Sequence, residues 1–162
     1  MKLKAILKNL QIKVEDELAR FEHLLSELQE ALKDDYVRFR ARICAGILDD
    51  FYMGVEKIFK EIADKIDLQI PQGKDWHKKL LLQMKIETET RPAVIDEVIY
   101  IKIEEYLRFR HMNRNVYGFY FDWDKMSYLV YGLEDVVYGL KKALNIWFNQ
   151  MFLIVDELER GY

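Results

Sequence analysis

The residues best equipped for chemistry lie in one short run, "RFRHMNRNVY" at 108–117. It holds Arg108, Arg110 and Arg114, His111, two asparagines and Tyr117, with no acid among them. Arginine presents a planar fork of N–H donors that matches phosphate oxygens two at a time. Histidine exchanges a proton near neutral pH. The wider window 106–121, "YLRFRHMNRNVYGFYF", adds aromatic rings, and such rings stack on unpaired bases. If a helix continues through the run, Arg110, Arg114 and Tyr117 share one side, and Arg108, His111 and Asn115 share a neighbouring one. Two polar sets flanking one surface suit a phosphodiester. The same residues have a plainer reading, in which basic groups in a last helical turn complement its dipole and the aromatics fill a core.

Other chemistry is sparse. There is no H-x-x-x-H, no pair of cysteines and no carboxylate cluster with ligand spacing, so neither a metal nor a cofactor is expected. Cys44 is the only cysteine, which excludes an internal disulfide and suggests a buried, inert thiol. His77 follows Trp76 and reads as structural, and His23 falls on the polar side of a helix. Glu56 could orient a motif arginine from behind, or be a plain surface glutamate.

The elements that must position these groups are helical. Leu7, Leu10, Val14, Leu18, Phe21, Leu25, Leu28 and Leu32 form one apolar stripe of a long first helix. "KDD" at 33–35 interrupts it, with Asp34 or Asp35 as a candidate cap for the next helix. Phe39, Ile43, Ile47, Phe51, Val55, Ile58, Ile62 and Ile66 make a second stripe. Pro71 and Gly73 mark a loop. "WHKKLLLQMKIE" predicts a short helix capped by Asp75, and Pro92 suits the first turn of a fourth helix running through "YLRFR". A last long helix spans about 124–157. The expected fold is all-α, an up-and-down bundle of four long helices plus one short helix, forming one domain over 1–162. Residues 1–35 are the long first helix and a possible interface.

The chain has 162 residues, 51% of them hydrophobic and 33% charged, with seven Gly and two Pro. That composition argues against disorder. A net charge of −3 excludes a global basic field for nucleic acid, so any such contact needs a local patch. The charged start is unlike a signal peptide or anchor, and no run of about 18 apolar residues occurs. A cytoplasmic protein without membrane association is expected.

The motif resembles that of the HEPN superfamily, and within it the HepT-like proteins paired with minimal nucleotidyltransferases. Their signature is an arginine, four to six residues, a histidine, and often a tyrosine two positions on. Here Arg110 takes the arginine place and Tyr117 the tyrosine place, but the histidine place is Asn115. The likeness extends to Tyr52 and Glu56 in a Y-x-x-x-E arrangement, to "IPQGKDWHKKLL" at 70–81 and to "RPAVI". It implies a helical homodimer whose motifs face each other across a cleft. It also implies a toxin–antitoxin pair, metal-independent cleavage of RNA by 2′-hydroxyl attack, and restraint by a nucleotidyltransferase that in some members adenylylates the motif tyrosine. Arg110, His111, Asn115 and Tyr117 are then the catalytic candidates, Arg108 and Arg114 the phosphate contacts, Glu56 the support, and Tyr117 the modification site. Asparagine has no proton to exchange near pH 7, so cleavage is expected to be weakened unless His111 substitutes. The alternatives are a non-catalytic partner or adenylylation substrate of a nucleotidyltransferase, and a purely structural helical protein.

Overall fold

In a computed structural model describing residues 2–161, the Asp34 side chain excepted, five helices carry the chain. They are α1 (Lys2–Ala31), α2 (Arg40–Ile62), α3 (Trp76–Lys85), α4 (Glu97–Asn113) and α5 (Trp123–Arg160). The expected four long helices and one short one are all present, and no strand occurs among the described residues.

The apolar stripes explain the packing. Every stripe position of α1 from Leu7 to Leu28 is buried. This helix lies against α2 and α5, and α4 closes the bundle by packing on the same two helices. On α2 the stripe is buried from Ile47 to Ile62, but Phe39 and Ile43 remain exposed at its start. Gly54 lets α1 approach, because a Cβ there would strike the Phe21 ring. The Tyr106 hydroxyl donates to the Leu129 carbonyl at 2.8 Å, tying α4 to α5 within the core.

Three boundary expectations need correction. A 3-10 turn spans Asp34–Phe39, so the residue at the N-cap of α2 is Phe39, and it makes no side-chain cap bond. Neither expected aspartate stands at that cap, and the Asp34 side chain lies outside the described part. Asp75 does stand at the N-cap of α3 but without a side-chain bond. Pro92 precedes α4 rather than opening it. The actual cap is Asp96, whose carboxylate accepts from Ile99 N–H at 2.9 Å. The segment before it is held elsewhere: Val94 N–H donates to the Met84 carbonyl, and Trp147 Nε1–H donates to the Pro92 carbonyl.

One clip organises the region around α3. The end of α2 widens into a π-turn, Ala63–Asp67, and Leu68 follows in the left-handed conformation. Asp67 thereby meets Arg91, whose Nε and Nη2 donate to its two carboxylate oxygens at 2.5 and 2.8 Å. Arg91 also donates to the carbonyls of Ile86, Pro92 and Gln83. Its side chain has no exposed surface, and the five bonds are what make a buried guanidinium tolerable. The clip fastens α3 to the end of α2 and to the strap leading into α4.

Candidate functional site

Arg110 leaves the last turn of α4 and crosses to α2. Its Nε lies 3.4 Å from Asp49 Oδ1, and its Nη1 lies 3.6 Å from Glu56 Oε1. Asp49 and Glu56 sit two turns apart on one face of α2, which is why one guanidinium reaches both. These are charge contacts rather than full hydrogen bonds. Nη1 is buried and has no hydrogen-bond partner, while the side chain as a whole remains 28% exposed.

Glu56 uses its other oxygen differently. Oε2 is in short contact with His77 Nδ1 at the start of α3. A carboxylate only accepts, so Nδ1 carries the proton in this contact. The His77 ring packs on Trp76 at 3.6 Å between centroids, and the Lys60 ammonium sits over the Trp76 ring, 4.0 Å from its centre. His111, one residue beyond Arg110, meets His77 edge to face at 5.4 Å. Burial, and next the neighbouring His77, hold the His111 imidazole below its usual value of 6.5. Tyr52, one turn before Glu56, is buried. Its desolvation, and next the Glu56 charge, push the hydroxyl well above the ordinary tyrosine value, so it stays neutral.

Beside Arg110 a recess of about 370 Å³ opens between α2 and the end of α4. Arg42, Arg110, Arg114, Asn113 and Asn115 line it, and Asp49 is its one acid among the lining residues. A larger depression of about 830 Å³ lies beside α3, but Lys79 is the single basic residue in its lining, and the Asp67 carboxylate there is occupied by Arg91. The smaller recess is the better match for an anion.

The helix does not continue through the motif. It stops at Asn113, whose side-chain amide donates back to the Phe109 carbonyl at 2.8 Å. Asn115 has φ +70°, a left-handed geometry that asparagine adopts more readily than most residues. The expected sharing of helical sides beyond 113 is therefore corrected. Arg114 and Asn115 reach the recess from a turn instead. Tyr117 begins an exposed aromatic loop, 70% accessible, with its ring stacked on Phe119 at 5.4 Å. Gly118 sits directly on Arg42: a Cβ there would come within 2.6 Å of Nε and 2.9 Å of Cδ and Cγ.

The remaining candidates are placed plainly. Arg108 turns away from the recess and pairs with Glu104 at 3.1 Å and Glu105 at 3.3 Å on its own helix. His23 is exposed. Cys44 is buried, and burial pushes its thiol up to about 11, so it is protonated and unreactive at neutral pH. Among the described residues no group of three or more His, Cys, Asp or Glu is arranged to hold a metal ion, and no helix is long and apolar enough to cross a membrane.

Three residues of this site were not singled out for it from sequence: Arg42, Asp49 and, as a partner of Glu56, His77. Their separation from the motif along the chain hides them. The visible signal was the one-turn spacing of Tyr52 and Glu56 and the Trp76–His77 pair, neither of which names its partner.

Comparison with curated proteins and with solved structures yields no match. The family model for HepT-like protein matches residues 43–151, which take in most of α2, the clip, α3, α4 and most of α5. That span is more than half of the 162 residues and contains every residue of the recess except Arg42. The chain belongs to the HepT-like family.

Proposed function

We propose that this HepT-like protein is the RNA-acting member of a toxin–antitoxin pair, and that its recess holds a phosphodiester of RNA for cleavage by the adjacent 2′-hydroxyl. The observation that carries the reading is the convergence of Arg42, Arg110 and Arg114, with Asn113 and Asn115, on one recess of about 370 Å³ in a chain of net negative charge. Guanidinium groups fixed before the substrate arrives stabilise charge that builds on the phosphoryl oxygens as the 2′-oxygen attacks. Arg110 is so fixed by Asp49 and Glu56. Asn115 donates a hydrogen bond but no proton. Proton transfer therefore falls to a histidine outside the signature position. The protein acts as a homodimer, with the exposed Phe119 and Tyr120 supplying apolar contact between the two motif surfaces.

The test is cleavage of RNA in the presence of a chelator, with Arg110→Ala and Asn115→His alongside. Cleavage by the natural protein that is lost in Arg110→Ala supports the reading, and a gain in Asn115→His places residue 115 beside the reacting groups. No cleavage by the natural protein refutes it.

One observation favours a second reading. Tyr117 is 70% accessible on its loop, open to a nucleotidyltransferase partner. If the chain is an adenylylation substrate, incubation with that partner and ATP adds the mass of AMP at Tyr117, and Tyr117→Phe abolishes the addition.

A further inference from the structure

One end of the second apolar stripe has no place in the core. Phe39, 54% exposed, and Ile43 stand in solvent at the start of α2. They are four residues apart and share one side of the helix start. The same stretch is strongly basic. Residues 36–48, "YVRFRARICAGIL", hold three arginines and no acid, as residues 106–121 do at the end of α4. Asp35 and Asp49 bound the run, and Asp49 is engaged by Arg110. Arg40 is taken up by the fold: its Nη2 donates to the Leu32 carbonyl at 3.1 Å, and its guanidinium carbon lies 5.5 Å from the centre of the Trp123 ring. Arg38 and Arg42 are exposed. They too are four residues apart, so an arginine row and an apolar row run side by side at the start of α2.

Both rows lead to the recess. Arg42 lines it and is the third residue of α2, while Phe39 is the N-cap of the same helix. Side chains at these two positions lie close enough to meet, as they do in a capping box. The Arg38 guanidinium carbon sits over the Phe39 ring, 5.4 Å from its centre, and so covers one face of it. Gly118 brings the chain beyond the α4 motif down onto Arg42. The two acid-free runs thereby join in one basic track, from Arg114 and Arg110 through Arg42 to Arg38, with the Phe39 ring at its α2 end. Resting on the proposed RNA binding in the recess, we propose that the start of α2 is a subsite for the nucleotide next to the held phosphate. Phe39 stacks on its base, Arg38 takes its phosphate, and the RNA recognised is unpaired at that nucleotide. A single strand supplies both things this surface lacks, a flat π face for the ring and a negative charge for the guanidinium. A duplex does not, because its base faces are covered by their neighbours.

The experiment measures binding of two labelled, uncleavable octamers by anisotropy: one of 2′-deoxyadenosine, and one of abasic deoxyribose phosphate with the same charge and no bases. Every variant is first shown to be folded by circular dichroism. Phe39→Ala should weaken binding of the adenine octamer by roughly 5–100-fold, the range for one lost base stack, and leave the abasic octamer unchanged. Phe39→Trp should bind the adenine octamer at least as well as the natural protein. Arg38→Ala should weaken both octamers and reduce the salt slope by about 0.7, one phosphate's share on a single strand. If Phe39→Ala binds the adenine octamer as the natural protein does, or weakens both octamers equally, the subsite is overturned. If Phe39→Ala instead shifts sedimentation from dimer to monomer, the ring serves a contact between copies of the chain, and the subsite is again overturned. The recess is judged separately, by Arg42→Ala and Arg110→Ala on the abasic octamer. Unchanged affinity there refutes phosphate binding in the recess, and the subsite falls with it. Lost affinity there, with no effect at Phe39, refutes the subsite alone.

Discussion

Replacing Arg91 by methionine should unfold the region around α3 well before the rest of the bundle loses its packing. The side chain has no exposed surface and makes five bonds: two to Asp67 and one each to the carbonyls of Ile86, Pro92 and Gln83. Methionine fills a similar length but donates nothing. Removing one partner of a buried ion pair costs about 3–5 kcal/mol, because the other charge is left uncompensated. Two features hold the expected cost toward the lower end: Gln83 Nε2 still donates to Asp67 Oδ2 at 2.6 Å, and Asp67 borders the depression beside α3, where water can enter. For a chain of this size, about 3 kcal/mol corresponds to a fall in Tm of roughly 6–12 °C. Urea unfolding followed by circular dichroism gives the free energy directly, and hydrogen exchange locates the loss at residues 76–96. Asp67→Asn combined with Arg91→Met should cost less than the sum of the singles, since no lone buried charge remains. A loss in Arg91→Met of less than about 1 kcal/mol, the size expected of an exposed pair, would refute the view that this clip holds α3 in place.

Gly118→Ala should displace Arg42 from the recess, because the new Cβ would sit 2.6 Å from its Nε. Affinity for an uncleavable 2′-deoxy oligonucleotide, measured by anisotropy, should fall about as far as in Arg42→Ala, roughly 10-fold or more for one lost charged contact, with Tm little changed. The same titration over a range of salt should give a shallow slope, about −0.7 for each phosphate neutralised on a single strand, and Arg42→Ala should reduce it by about one such step. His111 makes stability depend on pH. Its folded-state value lies below 6.5, so the unfolded chain binds the proton first as pH falls. The natural protein should therefore lose stability relative to His111→Gln as pH drops below 6.5, while the offset between the two stays constant above it, as read from Tm across that range. Tyr106→Phe should cost about 0.5–1.5 kcal/mol in urea unfolding, the net worth of the buried bond to the Leu129 carbonyl.

The fold was legible wherever apolar residues kept a helical period. Leu7 to Leu28 and Ile47 to Ile62 are buried as their spacing requires. Legibility failed where long-range partners outrank local signals. Pro92 looks like a helix start because proline suits a first turn, yet Trp147 takes its carbonyl and Arg91 holds its neighbourhood, so the helix waits for the Asp96 cap. The aspartates at 34 and 35 look like caps, but the chain turns through a 3-10 segment first. In the candidate site, Arg110, Arg114 and Asn115 could be picked from their own run of sequence. Their grouping could not, because it depends on the helix stopping at Asn113 and on Asn115 taking a left-handed turn. Arg42 and His77 were beyond reach of any local pattern: the first is brought in by α2 beneath Gly118, the second by the clip that docks α3 on α2.

The placement of acids resolves why a chain of net charge −3 can gather arginines without spoiling its bundle. Arg110 is the least exposed of the three recess arginines and is the one given two carboxylates, Asp49 and Glu56, both from α2. Arg42 and Arg114 lie in solvent and need no partner there. The charge of Arg110 is balanced within the recess while Arg42 and Arg114 carry theirs into solvent, so the positive potential here is local rather than a field over the whole surface. The same Glu56 that balances Arg110 also fixes His77. A single carboxylate thus holds Arg110 and His77 together, and its removal should disturb the placement of both at once. Neutralising Asp49, which faces only Arg110 among these groups, should instead strengthen anion binding by uncovering the Arg110 charge while leaving His77 where it is.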